Sequence, residues 1–139
     1  MSTTIHPELS KKNMYWIEKH RYYELKHFCL QYPIWKEAYQ SLNGLATDHI
    51  KLDIFRDKRK VSNPTERVAL AKTYYKDKMS LVEKAATESN FSISDYILKA
   101  VTEGRTYDYL KSRLDIPCSR GYYYEHYRKF FWILNRLRD

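Results

Sequence analysis

The segment EGRTYDYLKSRLDIPCSRGYYYEHYRKFFWILNRL, residues 103–137, decides the predicted fold of the C-terminal part of the chain. Its apolar residues recur at spacings of three and four, which predicts amphipathic helices. A preceding helix can be capped by Ser94 and ended by Gly104, and Thr106 and Ser119 can each cap the next one. We therefore predict a short helix after Thr106 and a longer one after Ser119. The tight turn between them makes the pattern of a helix-turn-helix.

A long helix is predicted to precede this segment. The run NPTE at residues 63–66 is a strong helix start, with Asn63 as cap, Pro64 in the first helical position and Glu66 in the capping-box position. The helix should extend from Pro64 to about Glu88. Its apolar residues form a narrow seam that can pack either on its own chain or on a second copy: Val68, Ala71, Tyr75, Met79, Val82 and Ala86.

Two further helices are predicted in the N-terminal part. The first starts after the cap Ser10, and Pro33 enforces a break at its end. The second reaches a C-terminal signal at Asn43 and Gly44. The apolar line of the first helix comprises Met14, Ile17, Leu25, Phe28 and Tyr32.

The predicted fold class is all-α, because only 3 Gly and 4 Pro interrupt the chain and few segments alternate with period two. We expect a helical domain with a long central helix and a C-terminal helix-turn-helix, forming one compact unit overall. Its parts are an N-terminal helical hairpin (1–44), a basic linker (45–62) and the long helix with the helix-turn-helix (63–139). The linker is either a solvated loop or a segment that orders on a polyanion.

The charge of the chain favours an anionic partner such as nucleic acid. Its 139 residues have a formal charge of +8 and a pI near 9.4. Residues 105–139 contain eight Lys or Arg and four Asp or Glu, so half of the net charge lies there. The two cysteines are far apart, the N-terminus does not resemble a signal peptide, and no apolar run approaches the roughly 20 residues of a membrane span. We expect a reduced, cytoplasmic protein without membrane contact.

No catalytic, cofactor or metal site is predicted. His20 and His27 could share a helix face, but no third ligand stands at a supporting spacing. Cys118 could have a lowered pKa beside Arg120 near a helix start. However, a nucleophile also needs a base, and His126 is two turns away. The chain has no phosphate-binding loop, dinucleotide-binding glycine run or zinc signature, so we do not expect an enzyme.

The C-terminal segment resembles region 4 of bacterial sigma factors. EGRTYDYLKSRLDI (103–116) follows the first half of that helix-turn-helix, and SRGYYYEHYRKFFWIL (119–134) follows the second. The order of parts over residues 20–138 resembles small phage transcription activators of the RinA and ArpU types, in which a YP helix break, here Tyr32 and Pro33, precedes a long helix and a sigma-like helix-turn-helix. The resemblance implies a phage or mobile-element regulator that binds duplex DNA in the cytoplasm of a bacterial host cell.

The resemblance also implies roles for individual residues. Tyr107, Leu110 and Tyr123 would face the core, and helix 119–137 would lie in the major groove of DNA. Three residues would read bases: Arg120, Tyr122 and Tyr124. Five would contact phosphates: Lys111, Arg113, Ser119, Arg128 and Lys129. RNA polymerase or another host protein would be a further partner, and a homodimer could bind two half-sites.

A second hypothesis belongs to a different class of function. A small basic phage protein can also inhibit a host nucleic-acid enzyme, for example a CRISPR nuclease, by protein-protein contact. Its aromatic faces would then be binding anchors, since Tyr, Trp and Arg dominate interaction hot spots. Sequence-selective binding to duplex DNA near physiological salt would distinguish the two hypotheses.

Overall fold

The computed structural model of the protein describes residues 12–43 and 64–138. The predicted cap residues Ser10 and Asn63, the helix-ending Gly44 and the predicted linker 45–62 lie outside the described residues. The described part contains helices and no strands, which confirms the all-α class. Its helices are α1 Lys19–Leu30, α2 Tyr32–Asn43, α3 Pro64–Ser89, α4 Ser94–Glu103, α5 Tyr107–Leu114 and α6 Arg120–Leu137.

The chain divides into two compact units. One comprises Met1–Gln31 and Leu81–Asp139, and the other comprises Tyr32–Ser80. This division does not follow the predicted boundaries, because α1 and α2 belong to different units and the unit border lies within α3.

The start of α1 was predicted incorrectly. The helix begins at Lys19, where the Glu18 carboxylate accepts hydrogen bonds from the N–H groups of His20 (2.8 Å) and Arg21 (3.3 Å). Earlier in the chain, Asn13 Oδ1 accepts a hydrogen bond from the Tyr15 N–H at 2.8 Å. These side chains compete with helical hydrogen bonding and favour turns and caps. Met14, predicted on the apolar line, is therefore 76% exposed in a turn.

In the Tyr32–Ser80 unit, α2 begins at Tyr32 and places Pro33 in its first turn, as the predicted break requires. Trp35, Ala38 and Leu42 are its buried residues. Lysines of α3 lie over aromatic rings of α2: Lys72 Nζ is 5.6 Å from the Tyr39 ring centre and Lys78 Nζ is 5.9 Å from that of Trp35.

The predicted seam of α3 is buried by the protein's own chain. Val68 is partly covered, and the other predicted members are all buried: Ala71, Tyr75, Met79, Val82 and Ala86. The sequence left open whether the seam packs on its own chain or on a second copy, and in the structure it packs on its own chain.

The core of the Met1–Gln31 and Leu81–Asp139 unit joins α1, α4 and α6. Fully buried side chains come from each of these helices, such as Leu25, Ile97 and Phe130, and the rings of Tyr22 and Phe131 lie 5.0 Å apart. Burying a large apolar side chain contributes about 1.5–3 kcal/mol. This core anchors α6, which contains five of the eight predicted site residues.

The start of α4 also differs from its prediction. Ile93 occupies the cap position and makes no side-chain cap bond, while Asn90 Oδ1 accepts hydrogen bonds from the N–H groups of Ser92 (2.9 Å) and Ile93 (3.3 Å) in the turn before the helix. Ser94 is the first helical residue, and its hydroxyl donates to the Phe91 carbonyl at 3.1 Å. The predicted end at Gly104 is confirmed, with a φ of 70° that favours glycine.

Candidate nucleic-acid interface

Local hydrogen bonds define the helix pair α5 and α6 as the sequence predicted. Thr106 Oγ1 accepts from the Tyr109 N–H at 3.2 Å, and Ser119 Oγ accepts from the Tyr122 N–H at 3.2 Å. Each bond satisfies a donor that the first turn of a helix would otherwise leave unpaired. Both predicted caps are confirmed.

The connection between α5 and α6 begins with a residue in the left-handed backbone conformation. Asp115 has a φ of 54°, and the Ile116 N–H donates to the Leu110 carbonyl at 3.1 Å. Ile116 is fully buried after this reversal. The Tyr107 hydroxyl then donates to the Cys118 carbonyl at 2.6 Å, which ties the start of α5 to the residue before the α6 cap.

The residues predicted to face inward do so. Tyr107, Leu110 and Tyr123 are buried, and the rings of Tyr107 and Tyr123 lie 5.5 Å apart. This aromatic contact holds the first turn of α6 against α5.

Arg120 is held against α5 instead of pointing outward. Its guanidinium pairs with the Asp108 carboxylate and lies 5.0 Å from the centre of the Tyr107 ring. Successive helical residues are about 100° apart, so Arg120 shares a helix face with Tyr124 and Tyr127. Its side chain nevertheless keeps 44% of its surface exposed.

Tyr122 is exposed, as predicted for a base-reading residue. Its side of α6 faces solvent, and the residue is 46% exposed. Its hydroxyl accepts a hydrogen bond from Asn90 Nδ2 at 2.7 Å, and its ring lies 4.4 Å from that of His126. These contacts orient the ring at the beginning of the helix.

Tyr124 does not lie on the outward face, which corrects the prediction. It is only 8% exposed, and its hydroxyl lies near the Tyr107 backbone at the start of α5. Burial raises the pKa of this hydroxyl, and the Arg120 charge opposes the rise. The buried face of α6 is wide enough to include both Tyr123 and Tyr124, whose rings lie 5.0 Å apart.

The predicted phosphate contacts fall into three settings. Lys111 lies at the turn between the helices, where its Nζ donates to the Ile116 carbonyl at 3.4 Å. Arg113 is exposed and forms no ion pair with any described residue. The Ser119 hydroxyl is used as the α6 cap. Arg128 and Lys129 are half-buried two turns along, and the Arg128 Nε is buried without a hydrogen-bond partner among the described residues.

The outward side of α6 includes two residues, Trp132 and Arg136, to which the prediction gave no role. Its members recur at spacings of three and four opposite the buried face, a signal that was present in the sequence. We call them the outward strip: Tyr122, Glu125, Lys129, Trp132 and Arg136. The Arg136 guanidinium lies 4.8 Å from the centre of the Trp132 ring, so the two form a cation-π pair. Gly121 borders the strip, and a Cβ atom there would meet nothing within 4 Å.

The thiol of Cys118 is not activated. Burial raises its pKa, and the charge of Lys111 offsets part of that rise. The expectation of a lowered pKa beside Arg120 is therefore wrong, because that guanidinium is directed toward Asp108. Within residues 12–43 and 64–138, no three His, Cys, Asp or Glu side chains are grouped so that they could bind a metal ion.

Comparisons with protein-family models, curated proteins and solved structures find no match for this chain. Among the described helices, none combines the length and the apolar character that crossing a bilayer requires.

Proposed function

We propose that this protein is a DNA-binding transcription regulator of phage or mobile-element type that reads duplex DNA with the N-terminal turns of α6. The observation that supports this most is the exposed first turn of α6. It has open space at Gly121, an oriented Tyr122 and a backbone held on α5 by the bond from Tyr107 to Cys118. A helix presented in this way can enter a major groove.

Arg120 is the principal base reader in this proposal. Its exposed pair with Asp108 contributes only about 0–1 kcal/mol. A bidentate contact with guanine discriminates by about 1–3 kcal/mol. Releasing Asp108 on DNA binding therefore costs little, and the pair keeps the guanidinium at the helix start before DNA binds. Tyr122 adds a second contact from the exposed side.

Phosphate contacts would come from the cationic residues around the helix pair. Lys111 lies at the turn, Arg113 is exposed on α5, and Lys129 belongs to the outward strip. Contacts of this kind set register and salt dependence without reading sequence. The bound protein would then recruit RNA polymerase or another regulator to a promoter.

The test is fluorescence anisotropy with a randomised duplex pool and the best sequence selected from it, at two salt concentrations. We expect Arg120→Ala to remove most of the selective margin, by about 1–3 kcal/mol. Arg105→Ala is the matched control, because Arg105 also pairs with an acidic residue, Glu103, and lies over a tyrosine ring, Tyr109. Arg105→Ala should leave selectivity unchanged. Binding that is weak, unselective and lost at the higher salt would contradict the proposal.

One observation favours the second hypothesis, an inhibitor of a host nucleic-acid enzyme. Of the three predicted base readers, Tyr124 is buried and Arg120 is paired on its own chain, whereas the outward strip offers Trp132 and Arg136. Trp, Tyr and Arg are the residue types enriched in protein-binding hot spots. If selective DNA binding fails, Trp132→Ala should abolish inhibition in an assay of a host nuclease, while Arg120→Ala should not.

A further inference from the structure

A small cavity lies within the unit formed by Met1–Gln31 and Leu81–Asp139. Residues of α1, α4, α6 and the start of α5 line it, and its volume is about 130 Å³. For comparison, an engineered apolar cavity of about 150 Å³ in another protein binds benzene. The cavity is therefore the size of a molecule with one six-membered ring.

Five of the twelve residues that line the cavity are aromatic: Tyr22, Tyr123, Tyr124, Tyr127 and Phe131. The Phe131 ring lies 5.0 Å from that of Tyr22 and 5.1 Å from that of Tyr127, both in edge-to-face geometry. Rings at such distances and angles present faces and edges that suit one further aromatic ring.

Hydroxyl groups make part of this wall polar. The Tyr22 and Tyr127 hydroxyls share a hydrogen bond of 2.9 Å. Burial raises the pKa of Tyr123 and of Tyr127, so both hydroxyls remain protonated at neutral pH. A ligand in the cavity therefore meets neutral hydroxyls and no tyrosinate charge.

The charged residues that line the cavity are both cationic, Lys26 and Arg105, and no carboxylate lines it among the described residues. Arg105 is already paired with Glu103 at 3.3 Å. Lys26 forms no ion pair with any described residue, and its Nζ lies 6.0 Å from the Tyr23 ring centre. An aromatic cage alone would favour a cation, but two positive side chains oppose one and favour an anion.

We propose that this cavity binds a small single-ring aromatic anion, with its ring among the tyrosines and its charged group at Lys26. The ligand class follows from the one-ring volume, the aromatic walls and the positive charge. Tyr123 and Tyr124 of the first turns of α6 belong to the cavity wall, but this proposal does not depend on the DNA-reading function.

Calorimetry and thermal unfolding of the full-length protein test the proposal, with benzoate as the probe. A ligand that binds only the folded state raises the unfolding temperature in a concentration-dependent way. We expect saturable binding of benzoate, and none of acetate, which lacks the ring, or of benzylamine, which has the opposite charge. Lys26→Gln should weaken benzoate binding about tenfold or more, because it removes a charge-assisted contact.

Two further variants make the result decisive. Lys84→Gln, on the exposed surface of α3, removes the same charge away from the cavity and should leave benzoate binding unchanged. Ala100→Leu, which places a larger side chain on the cavity wall, should abolish binding in a folded protein. The proposal is overturned if benzoate does not bind at millimolar concentration, if acetate or benzylamine binds as well, or if Lys26→Gln binds benzoate as the wild type does.

Discussion

At the scale of single residues, the three consecutive tyrosines of α6 have different surroundings. Tyr122 is exposed and bonded to Asn90, Tyr123 is fully buried, and Tyr124 is buried with its hydroxyl against the start of α5. Helical geometry predicted that they could not share one role. It could not predict that two of the three would be buried, because that depends on how many helices pack around α6.

Two glycines should respond in opposite directions to the same substitution. Gly121→Ala should stabilise the protein by about 0.5–1 kcal/mol, since a Cβ there meets nothing within 4 Å and glycine weakens a helix. Gly104→Ala should destabilise it by about 1–2 kcal/mol, because its φ of 70° strains a residue with a Cβ. Urea unfolding measures both, and a destabilised Gly121→Ala would contradict the open surroundings described above.

At the scale of helices, ends with a local hydrogen-bond signature were predicted well. Thr106, Gly104 and Ser119 act within a few residues of themselves, so their roles are visible in the sequence. The failures are the starts of α1 and α4: Glu18 caps α1 instead of the predicted Ser10, and α4 begins at Ser94 without a side-chain cap.

Removing a cap should therefore have different costs at two serines. Ser119→Ala should destabilise the protein by about 0.5–2 kcal/mol, because Ser119 Oγ accepts the Tyr122 N–H. Ser94→Ala should change stability by less than about 0.5 kcal/mol, since its hydroxyl only donates to a carbonyl that water can satisfy. Equal losses in denaturant unfolding would show that Ser94 also caps its helix.

At the scale of the whole molecule, a group of buried tyrosine hydroxyls lies in the unit that contains α6. Burial raises the pKa of Tyr123, of Tyr124 and of Tyr127 above the ordinary value of 10.0. Burial likewise raises the pKa of the Cys29 thiol above 9.0. These groups are neutral when folded and would ionise more readily in the unfolded chain.

The protein should consequently lose stability at alkaline pH. A raised pKa in the folded state means that the corresponding stability is complete below the unfolded pKa and declines as pH rises above it. The unfolding temperature should thus be steady near pH 7 and fall from about pH 9 upward, with tyrosinate absorbance appearing as the protein unfolds. Tyr127→Phe should reduce this decline. An unfolding temperature that stays constant to about pH 11 would exclude the effect.

Local patterns in the amino-acid sequence were sufficient to predict the all-α class, the breaks at Pro33 and Gly104, the caps of α5 and α6, and the buried positions of Tyr107, Leu110 and Tyr123. These features depend on backbone hydrogen bonding and periodicity over a few residues. Three features became visible only in the folded chain: the pairing of Arg120 with Asp108, the burial of Tyr124, and a cavity lined by aromatic side chains of α1 and α6. Such features require contacts between residues far apart in the chain, and no local pattern encodes them.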